Sequence, residues 1–321
     1  MTGVADLELR PATLDDAAIA ADINTEAHPD DPEDPVMTRH WWSIAAPDDV
    51  AERWIALLDG TPVGFATREH PAWSKTPERF SSIGAGLRPA VRTAARFDAL
   101  FARVEDAARR DDTEKVTAWA WEHDALMLEV LEARGFREER RERFWELDLV
   151  EGRERIATMT AAARDRMRRG AIDVLTLADD TDPAKFQKLK RMSDEAEADV
   201  PSTEPYVPLE MREFMEWFAS PGLRPDRIWI AREGDDIIGI SQLSYPPVRG
   251  IVETDWTGIA RKARGRGIAR ALKCETLMQA IALGVDRVRT DNDSTNAPIL
   301  HLNETMGYTR RPDGIQLLKV L

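Results

Sequence analysis

The chain has 321 residues, room for two domains, and its 43% hydrophobic content supplies a core for each. With 44 Lys+Arg against 58 Asp+Glu the net charge is −14, which excludes a general nucleic-acid or anionic-membrane binder, because both need a net basic footprint. The single cysteine, Cys274, excludes an intrachain disulfide and fits a reducing compartment, and no run of 18 apolar residues exists to span a bilayer. The stretch from Met1 to Pro11 has no basic segment followed by an apolar one, so no signal peptide is expected and the predicted location is cytoplasmic.

In chain order, the first element is a strand and helix start, Leu7 to Thr13. A hairpin with a glycine after the turn follows at Asp59 to Phe65. Next come Leu87, a loop at Arg92-Thr93-Ala94-Ala95-Arg96-Phe97, and a helix end at Arg134-Gly135-Phe136. The segment from Glu151 to Gly170, rich in Arg and Ala, reads as a helical linker stopped by Gly170. The plan then repeats. A strand and helix start lies at Ile172 to Leu177, and a second hairpin at Glu233 to Gly239. Period-2 strands are read at Arg227 to Ala231, Ile237 to Leu243 and Ile251 to Thr257. A helix follows over Ile268 to Leu283, its apolar side carrying Leu272, Leu277 and Ile281 with Cys274 nearby. Arg264 precedes Gly307 by 43 residues, and Arg92 precedes Gly135 by 43. So many matches in one order point to duplication, with each half a strand, one or two helices, a meander, a strand, a loop, a helix, a strand, a helix and a closing strand.

The segment Arg264-Gly265-Arg266-Gly267-Ile268-Ala269 stands between a strand and a helix. Glycines there let the backbone approach a ligand closely, and the first helical N–H groups, with the helix dipole behind them, favour an anion such as a pyrophosphate. Arg264 and Arg266 add full charges.

These residues resemble the signature of the GNAT superfamily of acyl-CoA-dependent N-acetyltransferases, Gln/Arg-x-x-Gly-x-Gly/Ala, at every fixed position. Val288 to Asn292, Asn296-Ala297-Pro298 and Met306-Gly307-Tyr308 resemble that family's fifth strand and following helix. The resemblance is tight from about Ile237 to Tyr308 and looser elsewhere. It implies an α/β fold (α+β, mixed sheet) of two tandem GNAT-like domains, each a mostly antiparallel sheet with splayed central strands flanked by helices. Along the chain these would be a degenerate domain at 1–152, a helical linker at 153–170 and an active domain at 171–321. By resemblance, acetyl-CoA would be the co-substrate, with no metal. Backbone near Ile259 and Arg261 would serve the pantetheine arm, the N–H groups of Gly265, Arg266, Gly267, Ile268 and Ala269 would hold the pyrophosphate, and Asn292 would lie beside them. Asn296 is either a pantetheine contact or the N-cap of the next helix. In the first half Ala95 replaces the signature glycine and Phe97 the small residue, so crowding of the phosphate position and weak binding there are expected.

N-acetylation needs the acceptor amine to lose a proton. Glu253, on the predicted strand eleven residues before Arg264, is the first candidate base, at an offset that resembles the glutamate base of the family's histone-acetyltransferase branch. Asp255, two residues on and so on the same strand face, is the second; two carboxylates on one face raise each other's pKa. The alternatives are a solvated strand face or an ion pair. Trp256, between such positions, should face away from Asp255. Many GNAT enzymes place a tyrosine acid four residues before the Gly-Phe glycine; here that position is Asn303, which can donate a hydrogen bond but no proton. Tyr308 reads as core. Tyr206 lies in a segment that by resemblance would cover the acceptor, and the acids of Glu195 to Trp217 would attract a cationic amine or simply be solvated. The function implied is transfer of an acetyl group to a primary amine of a small molecule, in a monomer or homodimer. The alternatives are a protein or peptide acetyltransferase, or a non-catalytic acyl-CoA-binding regulator.

Overall fold

The computed structural model describes residues 6–44 and 48–321; residues 1–5 of the stretch read for a signal peptide lie outside it. Its first half runs β1 (Glu8–Pro11), α1 (Ala17–Ala27), α2 (Pro35–Ser43), β2 (Val50–Leu58), β3 (Thr61–His70), β4 (Phe80–Leu87), α3 (Ala94–Arg110), β5 (Lys115–Trp121), α4 (Ala125–Ala133) and β6 (Arg137–Asp148). Helix α5 (Arg153–Arg169) follows. The plan then recurs as β7 (Asp173–Thr176), α6 (Lys185–Glu197), α7 (Met211–Phe218), β8 (Ile228–Glu233), β9 (Asp236–Ser244), β10 (Val252–Ile259), α8 (Ile268–Ala282), β11 (Arg287–Asp293), α9 (Ala297–Met306), β12 (Thr309–Arg310) and β13 (Gly314–Val320). No helix among the described residues is long and apolar enough to cross a membrane.

Within each half the meander is antiparallel, and the one parallel junction is short. Strands β4 and β5 pair from Phe80↔Lys115 to Ser82↔Thr117. Strands β10 and β11 pair only at Val252↔Val288 and Glu253↔Arg289, and beyond that point they diverge. The divergence leaves the facing edge of β10 free over the residues that lead to the glycine loop.

The closing strands are exchanged between the halves, which the local pattern did not predict. Strand β6 of the first half pairs with β11 of the second from Asp148↔Arg287 to Glu142↔Asp293. Strand β13 inserts between β5 and β6. The path β1-β2-β3-β4-β5-β13-β6-β11-β10-β9-β8-β7 is therefore one continuous mixed sheet. The cores follow the strands. Ile315 and Leu317 of β13 are buried with Phe97, Leu100 and Leu131 of the first half. Trp145 and Leu147 of β6 are buried with Leu277, Val288 and Met306 of the second. At about 25 cal/mol per Å2 of apolar surface, each exchanged strand welds the halves through its own buried face.

Candidate active site

The glycine loop ends in a left-handed turn. Gly265 has φ +75° and Gly267, the N-cap of α8, φ +84°, values an L side chain adopts only under strain. No backbone or side-chain acceptor meets the N–H groups of Gly265, Arg266 or Gly267 among the described residues. A Cβ built on Gly265 would meet nothing within 4 Å, so the space above the loop is open. Unspent donors, open space and a helix N-terminus fit a pyrophosphate. The arginines are engaged elsewhere. Arg264 and Arg261 share the carboxylate of Asp199 at 2.7 Å, and Arg266 pairs with Glu233 at 2.7 Å. Arg264 Nε also donates to the Ile259 carbonyl, and the Arg261 N–H donates to Glu195 at 2.5 Å. Two arginines beside it hold the Asp199 carboxyl below its ordinary range. Arg166 of α5, which sequence reasoning missed, packs against Gly267, 3.2 Å from the position of a Cβ there. Only the return of α5 onto α8 brings it there, so no local signal could have found it.

The equivalent loop of the first half is closed. Helix α3 starts at Ala94, so Ala95 lies inside it, and Thr93 caps it by accepting from the Arg96 N–H at 3.3 Å. Arg92 is tied to Asp124, and Arg96 to Asp6 and the Val91 carbonyl. Phe97 differs from expectation: its ring is 1% exposed and belongs to the core, so it does not crowd the loop. The helix itself has consumed the turn that glycines keep open in the second half.

At the other end of the free edge stand the carboxylates. Glu253 occupies the last paired position of β10 and is open to solvent. The protein around it, with Asp291, Asp255 and Asp31 nearby and only Arg289 opposing, pushes its carboxyl up to about 8. Water access together with strong desolvation describes a group on the floor of a cleft. Asp255 is likewise raised by burial, although it accepts from Gln242 Nε2 at 2.6 Å. Arg289 donates to Glu146 of β6, to Asp31 and to the Asp30 carbonyl, so the turn after α1 of the first half walls this cleft.

The pairing of β10 with β9 shifts register between Thr254 and Trp256, making Asp255 the extra residue of a bulge. This corrects the expected orientation of Trp256. The bulge breaks the two-residue alternation, and Asp255 and Trp256 both line one cavity of about 310 Å3. Its other walls are Leu209, Phe214 and Trp217, with Ser193, Asp194 and Glu197 of α6. Ser193 Oγ and Trp256 Nε1 have no hydrogen-bond partner among the described residues. Tyr206 donates to Asp194 at 3.1 Å, and burial with Glu197 and Asp194 nearby raises its hydroxyl far above the ordinary range, so it keeps its proton.

Asn303 is completely buried; its Nδ2 donates to Asn292 Oδ1 at 2.6 Å, and its own Oδ1 has no partner among the described residues. Asn296 stands at the N-cap of α9, but its side chain caps nothing. Cys274 and Tyr308 are buried.

The desolvated carboxylates predict an unusual pH dependence of stability. Burial raises Glu253 to about 8 and Glu33 to about 7, and Asp31, Glu142, Asp255 and Asp291 rise too. Between the unfolded value, 4.5 for Glu, and about 8, the folded chain holds protons that the unfolded chain has released. Stability therefore falls as pH rises through that window. His28 and His40, both lowered by burial, oppose this only just below 6.5 and are outnumbered. The Tm should be several degrees higher at pH 5.5 than at pH 8, and Glu253→Gln should flatten the slope; calorimetric scans across pH check both.

Comparison with known proteins agrees with this geometry. Residues 189–308 match the acetyltransferase (GNAT) family. Over 80 residues the chain is 34% identical to mycothiol acetyltransferase of Corynebacterium kroppenstedtii, a match over 25% of this chain and about a fifth of that protein's length. Two solved structures share the fold. A tandem GNAT protein from the clavulanic acid biosynthesis pathway superposes with TM-score 0.75 at 15% identity, over 98% of both chains. A GCN5-related N-acetyltransferase from Sphaerobacter thermophilus gives 0.67 at 17% identity, over 98% of this chain and 96% of that one. Residues 189–308 thus carry a GNAT acetyltransferase domain, and the chain as a whole shares the fold of a tandem GNAT protein.

Proposed function

We propose that the second half, residues 171–321, moves the acetyl group of acetyl-CoA to a primary amine of a small molecule, while the first half, 1–152, joined to it by 153–170, has lost the co-substrate site. The observation that carries this reading is the free edge of β10. It runs from unspent loop N–H groups at Gly265 to Gly267 to a proton-accepting carboxylate at Glu253. Acetyl-CoA would supply the activated acetyl group. The N–H groups of Gly265 to Ala269 would hold its pyrophosphate, and backbone at Ile259 and Arg261 its arm by strand addition. A phosphate arriving at the loop would compete with Asp199 and Glu233 for Arg264 and Arg266.

Glu253 takes the acceptor's proton. A base raised to about 8 is matched to an amine near neutral pH, where a solvated glutamate would be too weak. The cavity beside Asp255 seats the acceptor. Its aromatic walls suit an apolar body, while Asp194, Glu197 and Asp255 suit a cationic head. Its volume suits a small molecule, not a protein segment. Asn303 supports the second reading, a non-catalytic acyl-CoA binder, since its amide is spent on Asn292 where the family places a tyrosine.

Thiol release from acetyl-CoA across a panel of amines separates the two: the enzyme releases CoA only with an amine, and a binder never does. Titration calorimetry with CoA should give one site per chain. Two sites would show that the first half's closed loop still binds.

A further inference from the structure

Lys273 occupies a position whose helical neighbours are core residues. It lies in the second turn of α8 between Leu272 and Cys274 and is 1% exposed. An ammonium carries three donors. The nearest acceptor is Thr254 Oγ1 at 3.4 Å, Nζ lies 5.2 Å over the Tyr308 ring, and no carboxylate pairs with it among the described residues. Burying such a group without a partner is costly, and a methionine would fill the same space without the cost.

The place where Lys273 ends gives it a use. Thr254 is the first residue of β10 past the last parallel pair, Glu253↔Arg289, so Nζ reaches the apex of the fork between β10 and β11 from the helix side. Glu253 and Asp255 flank Thr254 on the strand. The buried Asn303 holds an amide oxygen without a hydrogen-bond partner among the described residues, and the Tyr308 hydroxyl lies by Thr254.

We infer that Lys273 is the proton donor to the thiolate that leaves acetyl-CoA, acting from α8 in place of the tyrosine that the family carries where this chain has Asn303. The inference rests on the acetyltransferase reading. The acceptor nitrogen bonds the acetyl carbon, the C–S bond breaks with its electron pair going to sulfur, and an Nζ proton passes to that sulfur. The neutral Nζ regains a proton from water, and the acceptor's surplus proton leaves through Glu253. Burial lowers Lys273 to about 8, Asp291 on β11 and Cys274 act against that, and the Tyr308 ring lies beside Nζ. An ammonium so tuned gives up its proton near neutral pH far more readily than a solvated lysine does.

The test is Lys273→Met in the full chain. The expected result is a kcat about 100-fold lower with acetyl-CoA, with KM within about threefold, and loss of the alkaline limb near pH 8. The deficit should shrink about tenfold with an acetyl thioester of an acidic aryl thiol, which leaves without needing a proton. The unliganded variant should also melt higher at pH 7, an advantage that fades as pH rises from about 8 towards 10.5, where the folded lysine is already neutral. Equal deficits with both thioesters, an unchanged pH profile, or a variant that melts lower would overturn the inference. Ultraviolet absorbance of bound CoA gives a readout without turnover: a thiolate band just below pH 8 in the wild type, absent in the variant. If the wild type acetylates no amine, the acetyltransferase reading fails, and the band still decides whether Lys273 faces the sulfur.

Discussion

Glu253→Gln is expected to lower kcat by about 100-fold or more while KM for acetyl-CoA stays within about threefold, because a positioned base contributes ~10²–10⁴-fold and the glutamine keeps the shape of the strand. A 100-fold loss is about 2.7 kcal/mol of barrier. The acid limb of the pH profile should move with it. Activity needs Glu253 ionised, so the acid limb of a bell-shaped wild-type profile should follow its ionisation, and that limb should vanish in the variant while the alkaline limb of Lys273 stays. The acceptor's own ionisation gives a similar limb, so the comparison is made with two amines of different basicity. A limb set by Glu253 stays in place between them, and one set by the amine shifts. Asp255, the bulge residue, is the group that could carry residual activity, since burial raises it and it shares the cleft. A variant with unchanged kcat would assign the base to Asp255 or to water.

Gly265→Val is expected to raise KM for acetyl-CoA about 100-fold with little change in kcat at saturation. At φ +75° a β-branched residue is forced out of its allowed conformations, at a cost of roughly 1–3 kcal/mol in the turn. Nothing in the folded chain lies within 4 Å of the new Cβ, so the native packing is untouched and the fold should survive with a modest fall in Tm. The added methyls stand in the open space that a pyrophosphate would fill. The useful comparison is Gly60→Val, also at positive φ and also with nothing within 4 Å, but in the β2–β3 turn of the first half. It should lose similar stability and leave KM alone. Equal KM effects from the two variants would show that the loop is not the phosphate cradle.

Much of this molecule was legible in the order of its residues. The two left-handed glycines, the helix they open and the recurrence of one plan at a constant spacing are local properties, written in φ preferences and in apolar periodicity. The place of Glu253 on β10 was legible as a strand position, and its choice as candidate base came from the family resemblance of its distance to Arg264. The missing glycine of the first-half loop was also visible, but the crowding expected from Ala95 and Phe97 is not what closes it: Ala95 lies inside α3 and Phe97 in the core.

What the tertiary structure decided depends on which distant segments meet. The exchange of β6 and β13 could not be read, because a strand's alternation shows which face is buried but not which neighbour its edge joins. The bulge at Asp255 is a mismatch of one residue between two strands, so Trp256 turned into the same cavity as Asp255 against its own period. Asp31 and Arg289 meet only because the first half leans on the second, and Arg166 reaches Gly267 only because α5 folds back on α8. Lys273 reads in sequence as an ordinary polar break in a helix. The divergence of β10 from β11 gave it a buried place to end, and so a lowered proton affinity. Local chemistry determined the glycine loop and the strand that carries Glu253, while long-range pairing determined their electrostatics, because desolvation and charge coupling act through space and not along the chain.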